Sequence, residues 1–89
     1  MKKVVQVQEV DGEGLEALLG KKVFLFCTNY NYYGTLVGVN TNDILLEDAG
    51  IVFDSGDFNT KGFSDFQRFP CKEWRLRTSY IESYGEMVE

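Results

Sequence analysis

The stretch GKKVFLFCTNYNYYGTLVGVNTNDILLEDA, from Gly20 to Ala49, decides the fold of this chain. Its apolar residues alternate in three runs separated by asparagine-containing turns. In the first run Val23, Leu25 and Cys27 point to one face of an extended chain and Phe24 and Phe26 to the other, so both faces are apolar. Burial on two faces marks a barrel wall or a strand with a neighbour across it. Thr28 to Asn31 supplies two asparagines, which tolerate positive φ and suit a tight hairpin turn. In the second run Tyr32, Gly34, Leu36, Gly38 and Asn40 share one face, and Tyr33, Thr35, Val37 and Val39 the other. Strand interiors avoid glycine, so Gly34 and Gly38 together mark a sharp bend or the close approach of another backbone. Asn40 to Asp43 forms the next turn. Ile44 to Leu46, followed by Glu47, Asp48 and Ala49, then returns as a third strand that can run on through Phe53.

Working outward, the valines of Lys3 to Val10 predict a short N-terminal strand. Asp11 can cap the segment after it. Leu15, Leu18 and Leu19 recur at helical spacing and Gly20 stands where a helix-ending glycine belongs, so Gly14 to Leu19 is expected to form one or two turns of helix. Gly12 and Gly14 make that helix weak, and it needs packing against the sheet to persist. Asp54 to Pro70 has no clear periodicity and reads as a functional excursion or an extended hairpin with a poorly patterned tip. Glu73 to Arg77 and Tyr80 to Tyr84 read as two short strands around Thr78 and Ser79. The predicted architecture is mostly β: one domain over residues 1–89, with a short N-terminal helix followed by a strongly bent five-stranded antiparallel sheet. Such a sheet curls into a small open SH3-like barrel with a long loop or extended hairpin around 54–70.

The composition narrows the chemistry. The 89 residues are 44% apolar and 15% aromatic with a single proline, which is the make-up of a folded domain. A domain of this size buries only about two-thirds of its unfolded surface, so it gains stability if a partner subunit covers its strand edges. There is no histidine, which removes the commonest general base and the commonest metal ligand together. Cys27 and Cys71 are too few and too far apart for a zinc site or a disulfide framework. With no activated cysteine and no glycine-rich phosphate loop, no enzyme, cofactor or metal is expected. Asp54, Asp57 and Asp65 are too irregularly spaced for a calcium loop, and the adjacent Glu47 and Asp48 point to opposite strand faces, so they cannot act as an acid–base pair. The N-terminal MKKVVQVQEV lacks the apolar core of a signal peptide and no run reaches membrane-spanning length, so a cytoplasmic protein without a membrane partner is expected.

A net charge of −5 argues against indiscriminate coating of nucleic acid, which depends on many basic side chains displacing counterions. The charges are uneven, however. Lys61, Arg68, Lys72, Arg75 and Arg77 fall in a segment whose only acids are Asp65 and Glu73. Interleaved with them are Phe63, Phe66, Phe69 and Trp74, which could form a stacking surface for single strands or anchor the loop by burying against the sheet.

The order of these elements resembles the Sm and Sm-like (LSm) family, as a divergent member. The first motif of that family is similar to Gly20 and Lys21, then Val23, Leu25 and Cys27, then Tyr32, Gly34 and Leu36, then Asn40, and then Glu47, Asp48 and Ala49. The second is similar to Leu76, Arg77 and Thr78, followed by Ile81 and Tyr84. The resemblance implies a closed homo-oligomeric ring, joined by edge pairing of the last strands, that binds single-stranded RNA at its pore in RNA processing or regulation. It assigns RNA contacts to Asn40, Thr41, Asn42, Arg77 and Thr78. Asn40 and Asn42 can equally be turn formers, and Arg77 a solvated strand arginine. The chain also departs from the family. Its turn is one residue shorter, Thr41 and Asn42 stand where an aromatic or histidine stacks on the base, Asp43 lies near the base-reading asparagine, and Thr78 replaces glycine. A ring that serves as a protein-interaction scaffold, without the nucleotide pocket, is the alternative expectation.

Overall fold

Leu15–Leu18 forms a single turn of 3-10 helix, in which Leu15 and Leu18 pack against the sheet and Leu19 is left exposed. The computed structural model describes residues 14–54, 63 and 65–88, so the expected strand over Lys3 to Val10 and the cap at Asp11 lie outside the described residues. Gly20 ends the turn at φ 85°, a conformation that costs glycine nothing, and its N–H donates to the Leu36 carbonyl at 2.7 Å. One turn is all the helix achieves, because a segment this short gains its stability from tertiary packing alone.

Six strands follow: β1 Lys22–Cys27, β2 Asn31–Val39, β3 Asp43–Asp54, β4 Asp65–Arg68, β5 Glu73–Arg77 and β6 Ile81–Glu86. All pairings are antiparallel, in the order β4-β3-β2-β1-β6, with β5 beside the first half of β3. Five of the six are the strands expected from the sequence. The sixth, β4, lies within the 54–70 segment and pairs with β3 from Gly50 to Asp54, so that segment returns as an extended hairpin. It escapes pattern reading because all four of its residues are exposed and carry no alternation. β4 and β5 are two lengths of one path along β3, interrupted at Phe69 to Lys72. Phe69 N–H donates to the Ala49 carbonyl at 2.9 Å, and its ring stacks on Trp74 at a centroid distance of 3.8 Å.

The sheet bends where the glycines predict it, but two bulges make the bend. Thr35 pairs with Glu47 and Tyr33 with Gly50, so Asp48 and Ala49 together face Gly34. A Cβ on Gly34 would stand 3.0 Å from the Ala49 Cβ and 3.2 Å from the Glu47 carbonyl oxygen, which is the close backbone approach expected at that position. Asp48 takes φ 53° there. It leaves the regular alternation, so the placing of Glu47 and Asp48 on opposite faces of a regular strand does not describe the structure. The second bulge lies between Leu36 and Gly38, where Leu36 pairs with Leu46 and Gly38 with Leu45. The extra residue, Val37, reverses the phase of the strand end: Val39 packs against the core and Gly38 sits over Leu45. The single face expected to run from Tyr32 through Gly38 to Asn40 is therefore broken after Leu36.

Val23, Leu25, Cys27, Leu36, Ile44, Leu46, Ala49 and Leu76 form the core on one face of the sheet. The opposite face carries a smaller aromatic layer. By register Phe24 and Tyr33 share one row and Phe26, Val52 and Phe66 another, and Phe63 lies across them, 5.0 Å from Phe24 and 5.5 Å from Tyr33. This second layer is why the first strand is apolar on both faces. It also decides between the two roles open to the aromatics from 63 to 74: each makes a ring contact inside the fold, although Phe66 stays half exposed.

Candidate nucleic-acid interface

Asn40, Thr41 and Asn42 connect β2 to β3. The Asn40 N–H donates to the Asp43 carbonyl at 2.9 Å, and the Asn40 amide donates to the Asp43 carboxylate, also at 2.9 Å. Asn40 is thus a turn former, as its residue type suggests. The other carboxylate oxygen of Asp43 lies 3.6 Å from the Arg75 guanidinium. Asp43, which stands near the base-reading position of the resembled family, is therefore held in the turn by Asn40 and ion-paired with Arg75.

Arg77 is the last residue of β5 and pairs in register with Asp43, which sets the 78–80 turn directly beside the 40–42 turn. Thr78 fastens the two. Its N–H donates to the Asn42 carbonyl at 3.0 Å and its hydroxyl to the Thr41 carbonyl at 3.3 Å. The five residues selected from the sequence, far apart along the chain, come together at one end of the sheet. Asn40, Thr41, Asn42 and Arg77 are exposed and Thr78 is half-buried. Among the described residues Arg77 enters no ion pair, whereas Arg68 and Arg75 are paired with Asp48 and Asp43. What the arrangement offers chemically is one unpaired guanidinium beside a ledge of exposed amide and hydroxyl groups.

Two contributors escape a reading of the sequence. Arg75 forms an ion pair with Asp43, a pairing that becomes visible only when β5 is laid along β3. Tyr80 reads as a strand residue because it alternates with Glu82 and Tyr84, but Thr78–Tyr80 forms a 3-10 turn and β6 begins at Ile81. On its other side that turn is tied to the β1–β2 turn: the Thr28 N–H and hydroxyl both donate to the Tyr80 carbonyl, at 2.8 and 3.3 Å. No group of three metal-ligating side chains occurs among the described residues, and no helix among them is long and apolar enough to cross a membrane.

The fold is that of Sm proteins. A heptameric archaeal Sm protein matches with a TM-score of 0.64, covering 83% of this chain and 96% of that one. The Sm protein of Pyrococcus abyssii, solved in complex with a uridine heptamer, matches at 0.65 with 89% and 100% covered. The P. aerophilum SmAP1 heptamer matches at 0.68 with 93% and 100% covered. Each is 17% identical in sequence, so the likeness is one of fold. No protein-family model and no curated protein matches the sequence.

Proposed function

We propose that this chain assembles into a closed ring of identical subunits and holds single-stranded RNA at the pore through the paired 40–42 and 77–78 turns. The observation that carries the reading is the double tie from Thr78, which sets the unpaired Arg77 beside exposed Asn40, Thr41 and Asn42. Two of the similar structures are described as heptamers and one holds a uridine heptamer, which supports both halves of the proposal. Ring closure fits the edges of this sheet. Among the described residues, β6 pairs only with β1, and β4 and β5 pair only with β3, so two opposite rims carry unpaired backbone groups. Joining the rim of one subunit to the other rim of the next is a heterologous contact, which closes into a ring when the rotation permits. Within the site, Arg77 supplies charge to a phosphate or a donor to a base edge, the 40–42 turn supplies polar edges, and Thr78 holds the two in place. RNA processing or regulation, without enzymatic activity, is the role this implies.

Fluorescence anisotropy with short oligo-U and oligo-A at several salt concentrations tests the reading. Saturable binding is expected for the wild type, and Arg77→Ala should flatten the log-affinity against log-salt slope by about 0.7 for each phosphate that the arginine neutralises. Absence of saturable, Arg77-dependent binding overturns it. The missing aromatic or histidine at Thr41 and Asn42 favours a second reading, a ring that binds protein. Nuclease-resistant capture of a stoichiometric protein partner, together with no oligonucleotide binding, would select that reading.

A further inference from the structure

Resting on the RNA-binding reading, we infer that Tyr80 is the base-stacking platform of this site, supplied by the 78–80 turn in place of the residue that the 40–42 turn lacks. Stacking is a sequence-tolerant source of affinity for single strands alongside phosphate charge, and it needs an exposed aromatic side chain on a backbone that does not move. Tyr80 meets both requirements. Its side chain belongs to a residue 47% exposed, so its ring is no part of the core. Its backbone is clamped from three directions. The Ile81 N–H closes the turn onto the Thr78 carbonyl, Thr28 donates twice to the Tyr80 carbonyl, and Thr78 ties the turn to Thr41 and Asn42.

The turn geometry adds a relation to Arg77. Arg77 is the extended residue that enters the turn and Tyr80 is the residue that ends it, so both belong to the same short connection between β5 and β6. A guanidinium and a phenol ring carried by one connection form a pair suited to a short stretch of single strand, the first taking a phosphate or base edge and the second a base face. Neither group is spent within the fold: among the described residues Arg77 has no ion-pair partner and the Tyr80 ring has no aromatic partner.

Salt-dependent anisotropy with oligo-U, run on the full-length chain, separates stacking from charge. Tyr80→Ala should weaken binding about 5- to 150-fold with an unchanged salt slope, and Tyr80→Phe should bind as the wild type, because stacking uses the ring and not the hydroxyl. Light scattering on each variant reports whether assembly is intact. A wild type that binds while Tyr80→Ala binds equally well, with Arg77→Ala impaired, overturns the stacking role and leaves the RNA reading standing. A wild type that binds nothing removes both. If Tyr80→Ala alters assembly, photo-crosslinking of the wild type to a 5-iodouridine oligonucleotide decides. An adduct on the Tyr80 peptide supports the inference, and adducts exclusively elsewhere overturn it.

Discussion

Gly50 and Gly85 are both strand glycines with opposite surroundings. A Cβ on Gly50 would stand 2.5 Å from a Tyr33 ring carbon and 2.6 Å from the Gln67 carbonyl oxygen, whereas one on Gly85 would meet nothing within 4 Å. Gly50→Ala should therefore cost about 1–3 kcal/mol, because a backbone oxygen and a packed ring must both shift. Gly85→Ala should be neutral or slightly stabilising, since it restricts the unfolded chain at no native cost. For a domain of this size the first corresponds to a fall in melting temperature of roughly 4–8 °C per kcal/mol, and melting the two variants side by side checks the pair. The cysteines differ as sharply. Burial, with a contribution from the Glu82 carboxylate, pushes the Cys27 thiol up from 9.0 to about 11, while Cys71 is exposed. At a pH of about 8 iodoacetamide should alkylate Cys71 in the folded protein and reach Cys27 only after denaturation, as intact mass would show. Between the ordinary thiol value of 9.0 and the folded value of about 11, the unfolded thiol has lost its proton and the folded one has kept it. Stability should thus fall as pH rises through that window, by less in Cys27→Ala, as urea midpoints would report. The buried phase of Cys27 is legible from its alternation with Val23 and Leu25. The crowding at Gly50 is not, because the ring that fills it comes from Tyr33 on the neighbouring strand.

The bend is a property of two strands together. Gly34 signals a close approach from β2 alone, but the residue that makes room for it is Asp48 on β3, at φ 53°. A β-branched side chain is strained in that conformation and glycine is not. Asp48→Val should cost about 1–3 kcal/mol, and Asp48→Gly should be tolerated to within about 1 kcal/mol, in chemical denaturation. The second variant also deletes the 2.8 Å ion pair with Arg68, whose partners are 55% and 63% exposed, so that pair adds little. A large loss in Asp48→Gly would show that the ion pair, and not the backbone, sets the bulge. The same logic explains Val39. Period-two reading puts it on the face opposite Leu36, and a one-residue insertion at Val37 turns it to the core that Leu36 occupies. A bulge leaves no trace in hydrophobic pattern, because it changes the phase without changing the residues.

At the scale of the molecule, the unpaired rims on β6 and on β4–β5 lead to a prediction about assembly. Light scattering coupled to size exclusion should give one species at a fixed multiple of the protomer mass, unchanged on dilution across the working range; a concentrated monomer would remove the ring and the pore with it. By itself the amino-acid sequence determined the three-strand run from Gly20 to Ala49, the glycine crease and the turns at 40–43 and 78–79, since these rest on local alternation and turn chemistry, whereas the residues of the candidate site were chosen through the resemblance to the Sm-like family. Tertiary structure alone decided the phase of β2 and β3 beyond their bulges, the return of β4, the pairing of Asp43 with Arg75 and the tying of the 78–80 turn to the 40–42 turn. Each of those depends on which strand lies next to which, and that choice is made by the closing of the whole sheet, where no single segment carries the information.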